Sequence, residues 1–196
     1  MEANAQQIKA SILKRKSIFS FDSKNINQEI LQELFEAARW SASAFNEQPW
    51  RFIYASRSEN EKVFNQILDL LVPANRAWAQ HAPVLMLVVA KSAFAANGKP
   101  NIHALYDTGQ AVSAFAIQAA AHEIYLHQMA GFDREKAIDD FKLGSAYIPA
   151  TVVAMGYMGN IDHLPENLKQ RALNPRNRKV VSEIAFQEIE EFERTH

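Results

Sequence analysis

The sequence lacks several features that would place it in a particular class of protein. It has no cysteine, which excludes disulfides, thiolate catalysis and cysteine-ligated metal. Its six glycines and seven prolines are scattered and mark no linker or repeat, so we expect a single domain over residues 1–196. No run of about 18 apolar residues predicts a membrane span, and the opening stretch MEANAQQIKA lacks the apolar core of a signal peptide. We expect a cytoplasmic protein.

Charge and motif patterns narrow the function further. The formal net charge is −1, and no long block of one sign indicates a nucleic-acid or membrane partner. The sequence contains no P-loop, no Gly-x-Gly-x-x-Gly and no Gly-x-Ser-x-Gly. The pair His122-Glu123 lacks the second histidine of a zinc-protease motif, because Leu126 stands there. We therefore expect small-molecule or protein partners, no metal site and no side-chain nucleophile.

Helical periodicity covers much of the chain. It predicts helices over residues 4–15, 27–40 with Asn27 as N-cap, a segment from a Ser58 cap to a stop at Pro73, 74–80 and 103–126. On the longest of these, small residues around Ala116 and Ala119 indicate close helix packing, which a subunit interface would also use.

Strand-like runs lie between the helices. Arg51 to Ala55 alternates, Val84 to Ala90 is continuously apolar and predicts a central strand buried on both faces, and Thr151 to Gly159 predicts a strand preceded by Pro149. Pro165 is expected to open a polar loop, and the tail 180–196 to form a strand and a terminal helix. The pattern is typical of the α+β class.

The stretch Ser41 to Phe52, SASAFNEQPWRF, joins the second predicted helix to the first strand. Its short polar side chains bond to backbone or ligand more readily than they sustain a helix, and Pro49 favours an extended Gln48. Such a loop suits a flat polar ligand. A plain connection with Trp50 as an aromatic plug is the alternative, and the loop alone favours neither.

Three more stretches carry chemistry or a simpler structural role. The basic run Lys14-Arg15-Lys16 before Ser17 suits a ligand phosphate or merely a helix carboxyl end. The glycine in HQMAGFD, Gly131, permits an unusual backbone conformation or marks a helix stop. The cluster of Arg171, Arg176, Arg178 and Lys179 is either a solvated or nucleic-acid-binding patch or a phosphate clamp, and the i, i+2 spacing of Arg176 and Arg178 favours the clamp.

Taken in their order along the chain, these four stretches resemble motifs of the nitroreductase family of FMN-dependent oxidoreductases. The resemblance spans nearly the whole chain. It implies a central, mostly antiparallel sheet flanked by helices, in an intertwined homodimer with FMN bound non-covalently at the subunit interface. It also implies transfer of reducing equivalents from NADPH or NADH to nitroaromatics, quinones or similar flat acceptors by a ping-pong mechanism, with FMN rather than a side chain performing the chemistry.

The resemblance assigns roles to individual residues. Arg15, Arg176 and Arg178 would meet the phosphate or ribityl chain, Ser43, Asn46 and Gln48 would contact the flavin from their loop, and a backbone N–H near Ala130 and Gly131 would face flavin N5. Toward the pyrimidine ring it places Lys16, Ser17, Asn75 and Arg76. Phe19 departs from the family pattern, since many relatives have a basic side chain there, and Arg76 is the nearest replacement. We expect Trp78, Phe94, Tyr106 and the partner chain to cover the flavin.

Two alternatives remain open at this stage. One is a specialised flavin enzyme of the same fold, acting in dehalogenation, flavin destruction or substrate dehydrogenation. The other is a flavin-binding protein without catalytic activity, or a relative that has lost the cofactor.

Overall fold

A four-stranded sheet forms the centre of the computed structural model, which describes residues 8–193. Its strands are β1 (Trp50–Ser56), β2 (Val84–Lys91), β3 (Ile124–Met129) and β4 (Tyr147–Tyr157). They lie in the order β1-β2-β4-β3, and all three strand pairs are antiparallel. The predicted α+β class with a mostly antiparallel central sheet is confirmed.

Helices pack on both sides of this sheet. The described residues form α1 (Ala10–Lys14), α2 (Gln28–Arg39), α3 (Glu61–Leu68), α4 (Pro73–Ala79), α5 (Ala104–Ala121), α6 (Arg134–Asp140), α7 (Glu166–Leu173) and α8 (Ile189–Glu193). Asn27 caps α2 as predicted, because its side chain accepts the Glu29 N–H. The predicted Ser58 cap is wrong, since Asn60 accepts the Val63 N–H at the start of α3.

Strand β2 has side chains in both hydrophobic cores. Leu85, Leu87 and Val89 pack with α3, α4 and the segment 18–21 on one face, which we call the first face. The alternate residues of β2 pack with α2 and α5 on the second face. The predicted central strand is confirmed. Ala116 and Ala119 of α5 are 2% and 0% exposed within this single chain, so their predicted close packing occurs inside the monomer and not at a subunit interface.

The helix predicted over 103–126 is wrong beyond Ala121. Glu123 adopts φ 57°, which a helix cannot continue through, and Ile124 then begins β3. Pro149 does not precede a strand as predicted but lies inside β4, paired with Val89. The register shifts between Val88 and Val89, and such an irregularity lets a proline occupy a strand without breaking a required hydrogen bond.

Other boundaries also differ from the prediction. Pro73 is the first residue of α4 rather than a stop, since α3 has already ended at Leu68. Pro165 immediately precedes α7 instead of opening a loop. Helix α1 begins only at Ala10, and residues 4–7 of its predicted span lie outside the described residues. In the described part of the tail the structure contains a 3-10 turn and α8 but no strand, while 194–196 lie outside it.

Candidate functional site

Arg15, Lys16 and Ser17 follow α1 along the outer edge of β3. The Lys14 Nζ lies 2.5 Å from a carboxylate oxygen of Glu123, just before the strand begins. Further on, the Ile18 carbonyl accepts a hydrogen bond of 2.8 Å from His127 Nδ1, near the end of the strand. The predicted phosphate and pyrimidine contacts of this stretch therefore lie beside an edge strand.

Arg176 joins the carboxyl-terminal segment to this stretch. Its guanidinium donates to the carbonyls of Arg15 and Leu13 at 2.5 and 2.7 Å. Burial, and then the charges of Arg176 and Arg178, lower the pKa of Arg15 from its ordinary value. Among residues 8–190, 192 and 193, none of these three guanidinium groups forms an ion pair with a carboxylate. Residues from the two ends of the sequence thus converge on one positively charged site.

An aromatic cluster lies next to this site on the first face. The His127 ring centre lies 4.7 Å from that of Phe19 and 4.5 Å from that of Trp78. Burial lowers the pKa of His127, the Ile18 carbonyl opposes this, and the charge of Arg171 lowers the pKa further. Trp78 is only 2% exposed, so the prediction that it covers a flavin is wrong.

A cation does lie beside Phe19, but it belongs to Arg171, which the sequence placed in the basic cluster with Arg176 and Arg178 and not at the pyrimidine ring. The Arg171 guanidinium on α7 lies 4.7 Å from the centre of the Phe19 ring. Arg76, the expected replacement, forms an ion pair of 2.7 Å with Asp69. The proximity of α7 to Phe19 depends on the tertiary fold, so periodicity and spacing gave no signal for it.

Asn75 and Gly131 are in direct contact at the end of β3. Asn75 Nδ2 donates to the Gly131 carbonyl at 3.1 Å, and the Val72 N–H donates to the same oxygen at 3.2 Å. A Cβ at Gly131 would lie 2.8 Å from Asn75 Nδ2. Gly131 does not have a positive φ, so the predicted unusual backbone conformation is wrong, and close approach is the reason for a glycine. Ala130 beside it is exposed.

The loop before β1 contains an unusual concentration of backbone strain. Phe45, Asn46 and Gln48 have φ values of 52°, 57° and 48°. The expectation that Pro49 makes Gln48 extended is therefore wrong. Non-glycine residues in this region cost free energy and cluster at binding sites, where surrounding contacts maintain them. Here Ser43 Oγ accepts the Gln48 N–H at 3.0 Å.

Two carboxylates tether this loop to the rest of the chain. Asp107 of α5 is 3% exposed and accepts the Ala44 N–H at 3.0 Å. Glu47 accepts the Ala95 N–H, also at 3.0 Å. Neither carboxylate belonged to the predicted site, because each acts on a backbone donor that is distant in sequence.

The predicted site residues form two separate groups. One group lies along β3 on the first face and comprises Arg15, Lys16, Ser17, Asn75, Ala130, Gly131, Arg176 and Arg178. The other comprises Ser43, Asn46 and Gln48, next to β1. Since β1 and β3 are the two edges of the sheet, they lie three strand spacings, or about 14 Å, apart. One chain therefore does not bring the groups together.

Comparison with known proteins agrees with this architecture. The family model described as the nitroreductase family matches residues 12–157. A solved structure described as an oxidoreductase containing FMN is 28% identical, with a TM-score of 0.85, and the match covers 92% of this chain and 91% of that one. A nitroreductase family protein from Clostridium difficile is 22% identical, with a TM-score of 0.68 and coverage of 91% and 96%.

Another relative is named for an activity. It is a putative NADH dehydrogenase/NAD(P)H nitroreductase from Xanthomonas oryzae pv. oryzae, 26% identical over 156 residues, covering 70% of this chain and 78% of the relative.

None of the helices in the described part of the chain combines the length and the apolar character that crossing a membrane requires.

Proposed function

The chain belongs to the nitroreductase family, and we propose that it is an FMN-dependent oxidoreductase that passes reducing equivalents from NADPH or NADH to nitroaromatics, quinones or similar flat acceptors. Donor and acceptor would use the same open face in turn, which gives ping-pong kinetics. The proposal treats residues 1–196 as one domain, and a cytoplasmic location stays a prediction. The arginine group at Arg15, Arg176 and Arg178 carries the proposal.

The three arginines fit the phosphate of FMN. Burial, and after it the like charges of Arg176 and Arg178, lower the pKa of Arg15, and an anion between the three groups would offset both effects. Guanidinium groups offer paired donors that match phosphate oxygens, and each charge-assisted hydrogen bond contributes about 1.5 to 3 kcal/mol. A nucleic-acid surface would need a longer basic stripe, whereas this site is compact.

The same edge of the sheet supplies groups for the rest of the cofactor. In the proposal Lys16, Ser17 and Asn75 bind the pyrimidine edge, and a backbone N–H near Ala130 faces N5. FMN when bound supplies the two-electron chemistry. The protein orients the isoalloxazine, excludes water from one face and leaves the other open. A main-chain donor suits this role because it carries no titrating proton.

The second group of site residues supports a homodimer. Ser43, Asn46 and Gln48 lie next to β1, and the first group lies along β3, an edge strand about 14 Å away across the sheet. In the proposal the loop that contacts each flavin comes from a second copy, so that two FMN sites form at the subunit interface. This arrangement also accounts for a strained loop next to an edge strand, where a partner can reach it.

The first test is a visible absorbance spectrum of the purified protein, followed by anaerobic addition of NADPH and, separately, NADH. We expect the twin bands of an oxidised flavin, their loss with the nucleotide and their return with a quinone. Flavin bands that persist after addition of the nucleotide would contradict the proposal and favour a specialised flavin enzyme or a non-catalytic flavin-binding protein. A colourless protein that FMN does not reconstitute would overturn the cofactor assignment.

A further inference from the structure

Among the described residues, Phe45 is the most exposed of the large apolar side chains, at 91%, and it lies in the strained loop with φ 52°. Its ring centre is 5.8 Å from that of Phe94, with an angle of 81° between the planes. A phenylalanine in this backbone region is uncommon, and exposing its ring to water adds a second cost. A ligand that covers the ring offsets the second cost, because it removes the apolar surface of the ring from water.

The two rings border a hollow of about 320 Å³. Its lining consists of Phe45, Glu47, Phe94, Ala96 and Asn97. This volume is at the small end of ligand sites, and it suits a molecule of one or two rings. Glu47 is the only charged side chain in the lining, so the hollow combines aromatic surface with a negative potential.

Both walls of the hollow are fixed by hydrogen bonds from buried or tethered groups. Asp107 accepts the Ala44 N–H immediately before Phe45, and Glu47 accepts the Ala95 N–H immediately after Phe94. The aromatic pair is therefore preorganised, which lowers the entropy cost of binding a rigid ligand.

We propose that the hollow between Phe45 and Phe94 binds the ring of the electron acceptor, and that it selects flat, uncharged aromatic molecules over anionic ones. This inference rests on the proposed function, because the neighbouring Asn46 and Gln48 are the predicted flavin contacts. For a nitroaromatic acceptor the balanced reaction is NAD(P)H + H⁺ + ArNO₂ → NAD(P)⁺ + ArNO + H₂O. The hollow takes part only by binding ArNO₂, and Glu47 repels a negatively charged Ar group.

The test compares 4-nitrobenzamide with 4-nitrobenzoate, which have nearly the same shape and differ in charge. Calorimetry on the oxidised protein at low ionic strength, without nucleotide, measures binding alone. We expect the amide to bind about fivefold more tightly than the benzoate. The factor follows from repulsion between the carboxylates of Glu47 and of the benzoate at about 6 Å, with an effective dielectric constant of about 60. Glu47→Gln keeps an acceptor for the Ala95 N–H and should bring the ratio to about one.

Two variants of Phe45 separate aromatic stacking from simple apolar contact. Phe45→Ala should weaken binding of both probes about tenfold, and Phe45→Leu, which keeps an apolar side chain, about threefold. In turnover, Phe45→Ala should lower kcat/KM for 4-nitrobenzamide more than kcat/KM for dioxygen, because dioxygen is too small to need contact with the ring. Unchanged dissociation constants in Phe45→Ala, or equal binding of both probes by the unmodified protein, would overturn the proposal.

Two further readouts keep this proposal separate from the first one. The flavin bands and their bleaching by nucleotide test the cofactor assignment, and calorimetry tests the hollow whether or not those bands are present. Size-exclusion chromatography of Phe45→Ala tests another role for the ring. Loss of the dimer with unaltered probe binding by the remaining protein would show that Phe45 packs against a second copy, and would overturn acceptor binding.

Discussion

Replacing Gly131 by alanine tests the contact between β3 and α4 at the proposed cofactor site. The new Cβ would lie 2.8 Å from Asn75 Nδ2 and 3.1 Å from Val72 Cγ2. Both distances are shorter than ordinary contacts between such atoms. Asn75 can move, because its amide is the far end of a side chain, but moving it breaks the 3.1 Å hydrogen bond to the Gly131 carbonyl.

The cost follows from these two effects. Loss of one hydrogen bond costs about 1 kcal/mol, and the contact with Val72 adds about 1 kcal/mol, at the low end for overpacking. We expect Gly131→Ala to lower the free energy of unfolding by about 2 kcal/mol. Asn75→Ala alone should lower the free energy of unfolding by about 1 kcal/mol. The double variant should lower it by about 2 kcal/mol and not by the sum of about 3, because both single variants lose the same hydrogen bond and the double variant loses it only once.

Denaturant titration of all three variants measures these free energies, and FMN titration measures the effect on the site. Gly109→Ala is the matched control, because a Cβ there meets no atom within 4 Å and Gly109 lies inside α5. Alanine should stabilise that helix by about 0.5 to 1 kcal/mol. A Gly131→Ala variant as stable as the unmodified protein, or strictly additive effects with Asn75→Ala, would refute the close-approach explanation.

Three further predictions concern single side chains. Arg178→Ala should weaken FMN binding at least tenfold, because one charge-assisted phosphate contact is lost, and a variant that retains full flavin and activity would disprove the clamp. Asp107→Leu should speed FMN release, because the Ala44 N–H then loses its acceptor. Asp107→Asn keeps an acceptor oxygen and should release FMN as slowly as the unmodified protein. Thr108→Val is the control, since the buried Thr108 hydroxyl has no partner within the described residues. Equal release rates would exclude positioning by Asp107. Burial lowers the pKa of His127 below its ordinary 6.5, so the unfolded chain binds the proton first as the pH falls. The free energy of unfolding should therefore decrease as the pH drops from about 7 through 6.5 toward the pKa of His127 in the folded protein. In denaturant titrations, the free energy of unfolding of His127→Gln should depend less on pH over this range. An unaltered pH dependence in this variant would contradict the explanation.

Elements whose pattern reflects burial were predictable from the sequence. Strand β2 is apolar along its length because both faces are covered, and α2 has its buried side chains at helical spacing. Strand β3 was mistaken for the end of α5, because alanine-rich helix and short apolar strand are contiguous there, and only the left-handed Glu123 separates them. Local pattern does not reveal a single backbone reversal at a residue that usually favours helix.

The strained loop shows a different limit of the sequence. Ser43, Asn46 and Gln48 are predicted ligand contacts because short polar and amide side chains follow a helix, and this stays a prediction. The positive φ values of Asn46 and Gln48 were not predictable, because the local Ser43 Oγ contact is supplemented by two distant ones, from the Asp107 carboxylate on α5 and from the Ala95 N–H after β2. Part of the free energy that keeps the loop in this form therefore comes from tertiary contacts. Such a loop fixes the direction of its side chains before any ligand arrives, which is the property a flat cofactor and a flat acceptor both require.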